Sequence, residues 1–284
     1  MDIDKNTYNL TPESVEKTYL SLPVNIRKRT KAVAYVDVFG VPADGKGFEE
    51  LSRKYGLHII DDSAEALGSS QDGRKCGSFG DAGLFAYYPN KQITTGEGGM
   101  LVTNNDEIAK RARSLRNQGR DEGAGWLQHA RLGYNYRISD INCALGIAQM
   151  QRLDEIVTKR KNVKTIYDNQ FKELFQKGTL IPQSSSTDCD VSPFVYVLRL
   201  ADHFEKTDRE NLLKELRAKN IGCSNYFTPI HLQPPYAELG WSYGDMPITE
   251  HVSERTIALP FFSNLTETQI HQVVEAVSHY FKDK

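Results

Sequence analysis

Between residues 32 and 102, apolar runs alternate with helical patterns, and this alternation constrains the fold more than any other feature of the chain. Ala32 to Val38 reads as a strand, Gly47 to Tyr55 as a helix and Leu57 to Ile60 as a second strand. Two more strands are predicted at Gly83 to Tyr87 and Gly99 to Val102. This is the rhythm of parallel βα units, in which each crossover is long enough to carry a helix. The expected fold class is therefore α/β, a mostly parallel sheet flanked by helices. In open sheets of this class, ligand-binding groups collect beyond the carboxyl ends of the strands. Asp61-Asp62 closes the second strand and Lys91 follows the third, so both lie where such groups gather.

Lys91 sits in a glycine-rich turn, Tyr88-Pro89-Asn90-Lys91-Gln92-Ile93-Thr94-Thr95-Gly96-Glu97-Gly98-Gly99. An amine and a carboxylate are the two groups that pyridoxal 5'-phosphate needs at opposite ends of its ring. The amine bonds the aldehyde carbon, and a carboxylate at the pyridine nitrogen keeps that nitrogen protonated, so that the ring accepts an electron pair. Lys91 would be the amine and Asp62 the carboxylate, with Lys91, once displaced, free to act as a base. The plainer reading is a surface lysine and a solvated helix cap. Spacing alone does not separate the two.

The surrounding motifs do. They run Val36-Asp37-Val38-Phe39-Gly40-Val41-Pro42-Ala43-Asp44, then Asp61-Asp62-Ser63-Ala64-Glu65-Ala66-Leu67-Gly68-Ser69, the lysine turn, and Gly133-Tyr134-Asn135-Tyr136-Arg137. Near the C-terminus stand Tyr226-Phe227-Thr228-Pro229-Ile230-His231-Leu232-Gln233-Pro234 and Arg255-Thr256-Ile257-Ala258-Leu259-Pro260-Phe261-Phe262. In this order they resemble the DegT/DnrJ/EryC1/StrS family of PLP-dependent sugar aminotransferases, of fold type I, and the resemblance covers essentially the whole chain. It implies three regions: a partial large PLP-binding α/β domain over 1–138, a connecting helix region over 139–182, and a small C-terminal α+β domain over 183–284. Family members carry a further segment before the position where this chain begins. That segment supplies a glycine-threonine turn that holds the cofactor phosphate at a helix N-terminus, and an aromatic ring stacked on the cofactor. The chain therefore reads as a fragment, with Met1 to Asp4 expected in the middle of a strand.

The resemblance assigns roles residue by residue. Glu65 falls where the family places a glutamine or glutamate beside the cofactor ring; the alternative is a first-turn glutamate favoured by the helix dipole. Its place three residues after Asp62 puts it on roughly the same helical face. Ala86 stands where many members have a serine that contacts the phosphate. Asn135 resembles the asparagine that reaches the cofactor phosphate of the neighbouring subunit, which would make a homodimer part of the active site; the alternative is a turn asparagine. Arg137 is a candidate for phosphate or substrate binding, or an ion-pair partner. His231 resembles a histidine near the substrate pocket, or is a structural histidine in an apolar segment. Gly96, Gly98 and Gly99 need no more than backbone freedom or close approach to explain them.

Composition bounds the remaining possibilities. A net charge of −2 gives no basic excess for nucleic acid. The apolar runs fall far short of the ~20 residues that span a bilayer, so no membrane insertion and a cytoplasmic location are expected. Cys76, Cys143, Cys189 and Cys223 are dispersed with no close pair, which favours reduced thiols over a metal or redox centre.

Beyond the turn, Asp106 to Arg116 is predicted as a helix capped by Asn105 or Asp106, and Ser139 to Phe175 as a long, broken one. A polar loop follows at Gln183 to Asp188, a strand at Val195 to Leu200, a helix at Thr207 to Lys219 capped by Thr207 or Asp208, and an amphipathic helix at Thr266 to Phe281. The function implied is transfer of an amino group from an amino acid, glutamate first among them, to a nucleotide-linked keto sugar. The physiological setting implied is polysaccharide or amino-sugar synthesis. The alternative is a truncated, non-catalytic remnant or subunit that packs against a partner chain.

Overall fold

The structure is a computed structural model that describes residues 1–123 and 125–282. Its elements run, in chain order, α1 (Pro12–Ser21), α2 (Val24–Arg29), β1 (Ala32–Val36), α3 (Gly45–Tyr55), β2 (His58–Asp62), β3 (Ser70–Gln71), β4 (Arg74–Lys75), β5 (Ala82–Ala86), β6 (Gly99–Val102) and α4 (Asp106–Arg116). The chain continues with α5 (Asp140–Met150), α6 (Leu153–Gln170), α7 (Lys172–Gln176), β7 (Leu180–Pro182), β8 (Cys189–Asp190), β9 (Tyr196–Leu200), α8 (Lys206–Ala218), α9 (Pro234–Ala237), α10 (Pro247–Ser253), β10 (Thr256–Leu259) and α11 (Glu267–Tyr280).

The first sheet has the order β1-β2-β5-β6. β1, β2 and β5 are parallel, with Val36 beside Asp62 and Asp62 beside Leu84, whereas β6 returns antiparallel to β5. The mostly parallel α/β sheet expected from the alternation is thus present. The last pair is antiparallel because the lysine turn joins β5 to β6 without a helix, and a parallel return needs a crossover.

α3 shows why this layer forms. Asp44 caps it by accepting the Gly47 amide at 3.0 Å, and Gly56, at φ +65°, ends it in the left-handed region where glycine carries no steric penalty. Its apolar face sets Phe48 and Leu51 against Val33 and Tyr35 of β1 and Ile59 of β2, with the Tyr35 and Phe48 rings stacked at 4.3 Å. Each fully buried side chain of this size stabilises the layer by about 1.5–3 kcal/mol.

A separate antiparallel sheet, β10-β9-β7, carries the C-terminal core, with α6, α8 and α11 packed against it. Every residue of β9 and of β10 is buried, so both strands lack the in-out alternation of a half-exposed strand. A third, small sheet, β4-β3-β8, ties residues 70–75 to Cys189–Asp190.

Several expectations need revision. Met1 to Asp4 form no strand; the Asp4 carboxylate accepts the amides of Asn6 and Thr7 at 2.9 and 2.7 Å, and that local competition turns the chain. The long helix is broken as expected, into three pieces interrupted at Gln151-Arg152 and at Phe171. α4 is capped by Asn105, but the helix predicted from Thr207 starts at Lys206, with Glu205 as its cap and Asp208 returning the bond. α1, α2, α9, α10, β10 and the small third sheet were not anticipated; most are short and lack a full period of hydrophobic pattern.

Candidate active site

The parallel strands deliver two adjacent aspartates to the carboxyl end of β2, and pleating separates them. Asp61 is fully buried, its Oδ2 accepting the Gly77 amide at 2.7 Å and the Phe79 amide at 3.4 Å. Asp62, on the opposite face and partly accessible, holds at its carboxylate a local bond from the Ala64 amide at 3.1 Å and no other among the described residues. Of the two, Asp62 is the carboxylate left available to another group.

Residues 63–69 then form successive turns and no helix, with the Ala66 amide donating to Ser63 O and the Ser69 amide to Ala66 O, each at 2.9 Å. This overturns the helical placement of Glu65, and with it the first-turn alternative. Its carboxylate turns back across the sheet end, where Oε2 accepts the Phe39 amide at 2.9 Å and Oε1 lies 3.4 Å from Lys91 Nζ. Phe39, at φ +59°, adopts a left-handed conformation that a bulky residue rarely takes, and it presents its amide to Glu65. Burial pushes the Glu65 carboxyl up, Lys91 and the Phe39 amide draw it down, and nearby Asp62 adds to the rise; the net shift is upward.

Lys91 is held by its own loop. Its amide donates to Tyr88 O at 3.0 Å, the Thr95 amide to Tyr87 O at 3.0 Å, and the Tyr87 amide to Gly98 O at 2.9 Å, so the turn closes on itself. Gly98, at φ +155°, has no room for a Cβ, which would meet Thr95 Oγ1 at 2.6 Å and Ile138 Cδ1 at 2.9 Å. Next to the lysine, Gln92 Nε2 donates to Glu65 O at 2.6 Å and to Ser192 O at 3.2 Å, locking the lysine turn to the Glu65 turn. The Lys91 side chain is 14% exposed and that of Glu65 13%, and the ammonium also sits 4.3 Å from the Phe194 ring centroid. The amine is thus enclosed between a carboxylate and an aromatic face.

A wall of rings adjoins this pair. Tyr226 and Phe227 stack at 4.3 Å and lie 5.7 and 5.6 Å from Phe39, around an apolar cavity of about 160 Å³ that Ile3, Val38, Ile230 and Val252 also line. Burial and the Glu65 charge raise the Tyr226 hydroxyl. Sequence reasoning gave Tyr226 no role; its only signal was membership of the quoted motif.

Asn135 and Arg137 lie elsewhere, and His231 adjoins the aromatic wall next to Ile230. Asn135 and Arg137 line a different cavity of about 1070 Å³, together with Met100, Leu101, Arg113 and Arg116, and neither Lys91 nor Asp62 reaches it. Arg137 donates to Asn117 Oδ1 at 2.9 Å, so its partner is an amide and not the carboxylate of an ion pair. His231 Nε2 lies 2.9 Å from Glu250 Oε1. Among the candidates, Lys91 meets Glu65 at 3.4 Å, and Asp62 lies close enough to Glu65 for its charge to act on it.

Comparison with known proteins places this geometry. The sequence model of the DegT/DnrJ/EryC1/StrS aminotransferase family matches residues 1–278. GDP-perosamine synthase of Caulobacter vibrioides is 35% identical over 277 residues, which cover 98% of this chain and 71% of that protein. Among solved structures, the aminotransferase TlmJ from Streptoalloteichus hindustanus superposes with a TM-score of 0.87 at 27% identity, covering 99% of this chain and 72% of that one. Helicobacter pylori PseC, an aminotransferase involved in the biosynthesis of pseudoaminic acid, gives 0.86 at 26% identity, with coverage of 100% and 74%. The fold is that of fold type I PLP-dependent aminotransferases, and the chain belongs to the DegT/DnrJ/EryC1/StrS family, the sugar aminotransferases that work with pyridoxal phosphate.

Proposed function

We propose that this protein moves an amino group from glutamate to the carbonyl carbon of a nucleotide-linked keto sugar, in a polysaccharide or amino-sugar pathway. The observation that carries the reading is the enclosed Lys91–Glu65 pair at 3.4 Å, with the partly accessible carboxylate of Asp62 close enough to act on Glu65. The similarity to GDP-perosamine synthase, whose name contains a nucleotide-linked sugar, supports that class of acceptor.

The donor set suits the cofactor. An amine among apolar and carboxylate neighbours matches the aldehyde end, and a strand-end carboxylate without an ion-pair partner matches the ring nitrogen. Pyridoxal phosphate, when bound, supplies a carbon that takes up the amino group and a ring that accepts electrons. Lys91 would hold the cofactor and supply the base that moves a proton at the reacting carbon. Asp62 would hold the ring nitrogen in its protonated form. Glu65, fixed by the Phe39 amide, orients the Lys91 ammonium. Tyr226 lies close enough to Glu65 for that charge, after burial, to raise its hydroxyl, and so borders the pair on one side.

Asn135 serves the phosphate of a second copy in this reading, with Arg137 binding phosphate or substrate, which makes the working unit a homodimer. Their place in a cavity that Lys91 does not line supports it, as does the apolar surface nearby, where Leu132 is 87% and Ile141 83% exposed. Among the described residues no helix is long and apolar enough to cross a membrane.

The decisive experiment adds pyridoxal phosphate to the purified protein and to Lys91→Ala, then glutamate, then a GDP-linked keto sugar, with absorption spectra and mass spectrometry of the products. A visible band that requires Lys91, is bleached by glutamate with release of 2-oxoglutarate, and gives an amino sugar would establish the reading. Identical spectra for the two proteins would favour the non-catalytic subunit that associates with another chain.

A further inference from the structure

Behind Asp62 lies a cluster that the proposed chemistry does not use. Asp37, just past β1, and Asp61, in β2, are both buried, 2% and 0% exposed. Their outer oxygens are satisfied by the backbone. Asp37 Oδ1 accepts the Ala43 amide at 2.8 Å, and Asp61 Oδ2 accepts the amides of Gly77 and Phe79. Their inner oxygens converge on one group: Asp37 Oδ2 and Asp61 Oδ1 each lie 2.7 Å from Ser63 Oγ.

A serine hydroxyl carries one hydrogen. It can donate to one of these two oxygens, and the other contact needs a hydrogen from the carboxyl side. We infer that Asp37 and Asp61 share one proton through Ser63 at neutral pH, so that the cluster carries a single negative charge and fixes the backbone on either side of Asp62. The connection to Asp62 is direct. Asp61 and Ser63 flank it in sequence, and the Asp37 amide donates to Asp62 O at 3.1 Å. Asp37 and Asp61 are accordingly positioning residues. The inference stands whether or not Asp62 meets a cofactor nitrogen.

The surroundings favour a neutral partner. Burial and the Asp61 charge push the Asp37 carboxyl up to about 8, and burial raises that of Asp61. The titratable side chains that couple to the pair are Tyr35 of β1, Cys76 after β4 and Cys189 of β8. All three are raised, foremost by burial, and none brings a positive charge. Two like charges this close in an apolar setting titrate as one unit that retains a proton.

Infrared spectroscopy of the full chain at neutral pH reads that proton. The wild-type protein should show the carbonyl stretch of a protonated carboxylic acid, displaced in D2O. Asp37→Asn and Asp61→Asn, whose amides supply the missing hydrogen without a titratable group, should each lose the band, and Glu65→Gln should keep it. No such band in the wild type, or its survival in both asparagine variants, would overturn the inference.

Thermal denaturation gives a second readout. The folded pair keeps a proton that the unfolded aspartates have already released above their ordinary range, so between about pH 5 and about pH 8 unfolding releases a proton and is favoured as the pH rises. The melting temperature of the wild type should therefore fall relative to that of Asp37→Asn over this interval, and parallel curves would count against the shared proton. If neither asparagine variant folds, Ser63→Ala decides. A band displaced from its wild-type position supports the bridge, and an unmoved band refutes it.

Discussion

His231 Nε2 and Glu250 Oε1 stand 2.9 Å apart, and that contact ties residues 230–232 to α10 beside the aromatic wall of the candidate site. Glu250 also accepts the Gly244 amide at 2.9 Å and the Met246 amide at 3.2 Å. Burial pushes its carboxyl up, but the bonds from His231 and the amides prevail and hold it below the ordinary range. His231 is therefore bound through one ring nitrogen to a structural carboxylate.

Replacing His231 with alanine leaves a buried carboxylate without its side-chain partner and should cost about 3 kcal/mol. Chemical denaturation would measure it. Because the folded value of Glu250 is depressed, its contribution is present above the ordinary carboxylate range and is lost as pH falls through the folded value. The wild-type advantage over His231→Ala should shrink in acid.

Lys91→Ala should lower aminotransferase turnover by at least about 10²-fold, the lower end of what a positioned acid or base supplies. It also has a stability signature free of cofactor. Glu65 is raised in the folded protein, so raising the pH through that window costs the folded state, and removing the ammonium that draws Glu65 down deepens the cost. The apo variant should lose more melting temperature than the apo wild type as the pH is raised above the ordinary carboxylate range.

Asp2 caps a helix to which it is not joined. Its Oδ2 accepts the Ile248 amide at 2.7 Å, and its Oδ1 accepts the Thr249 amide at 2.8 Å and the Thr249 hydroxyl at 2.7 Å, in the first turn of α10. Burial opposes the charge, but these bonds outweigh it and lower the carboxyl. Asp2→Ala should cost about 1 kcal/mol, as for loss of an N-cap. The difference from wild type should fade as pH drops through the depressed value. Equal stability at neutral pH would show that the cap carries no load.

Leu198, at the centre of β9, is fully buried among the side chains of the C-terminal core. Leu198→Ala should destabilise the protein by about 2–5 kcal/mol through lost burial and the cavity left behind. Denaturant titration with an unchanged slope would confirm that the loss lies in the folded state.

The sequence by itself determined what local pattern controls. The alternation over residues 32–102 specified β1, α3, β2, β5 and β6, because periodicities of two and of 3.6 residues write a strand and a helix into neighbouring side chains. The motifs around Asp62 and Lys91 marked, through their resemblance to the family, which residues to propose for the site. Tertiary structure alone decided the rest. The pleat of β2 made Asp61 a buried structural carboxylate and left Asp62 partly accessible, although both were written side by side. Glu65 reached Lys91 through a chain reversal that a helical reading could not show, held by an amide from Phe39, 26 residues earlier. His231 found Glu250, 19 residues on, and Asp2 found Thr249, 247 residues on. Such pairings depend on where packing brings distant backbone segments, and no local pattern encodes that distance.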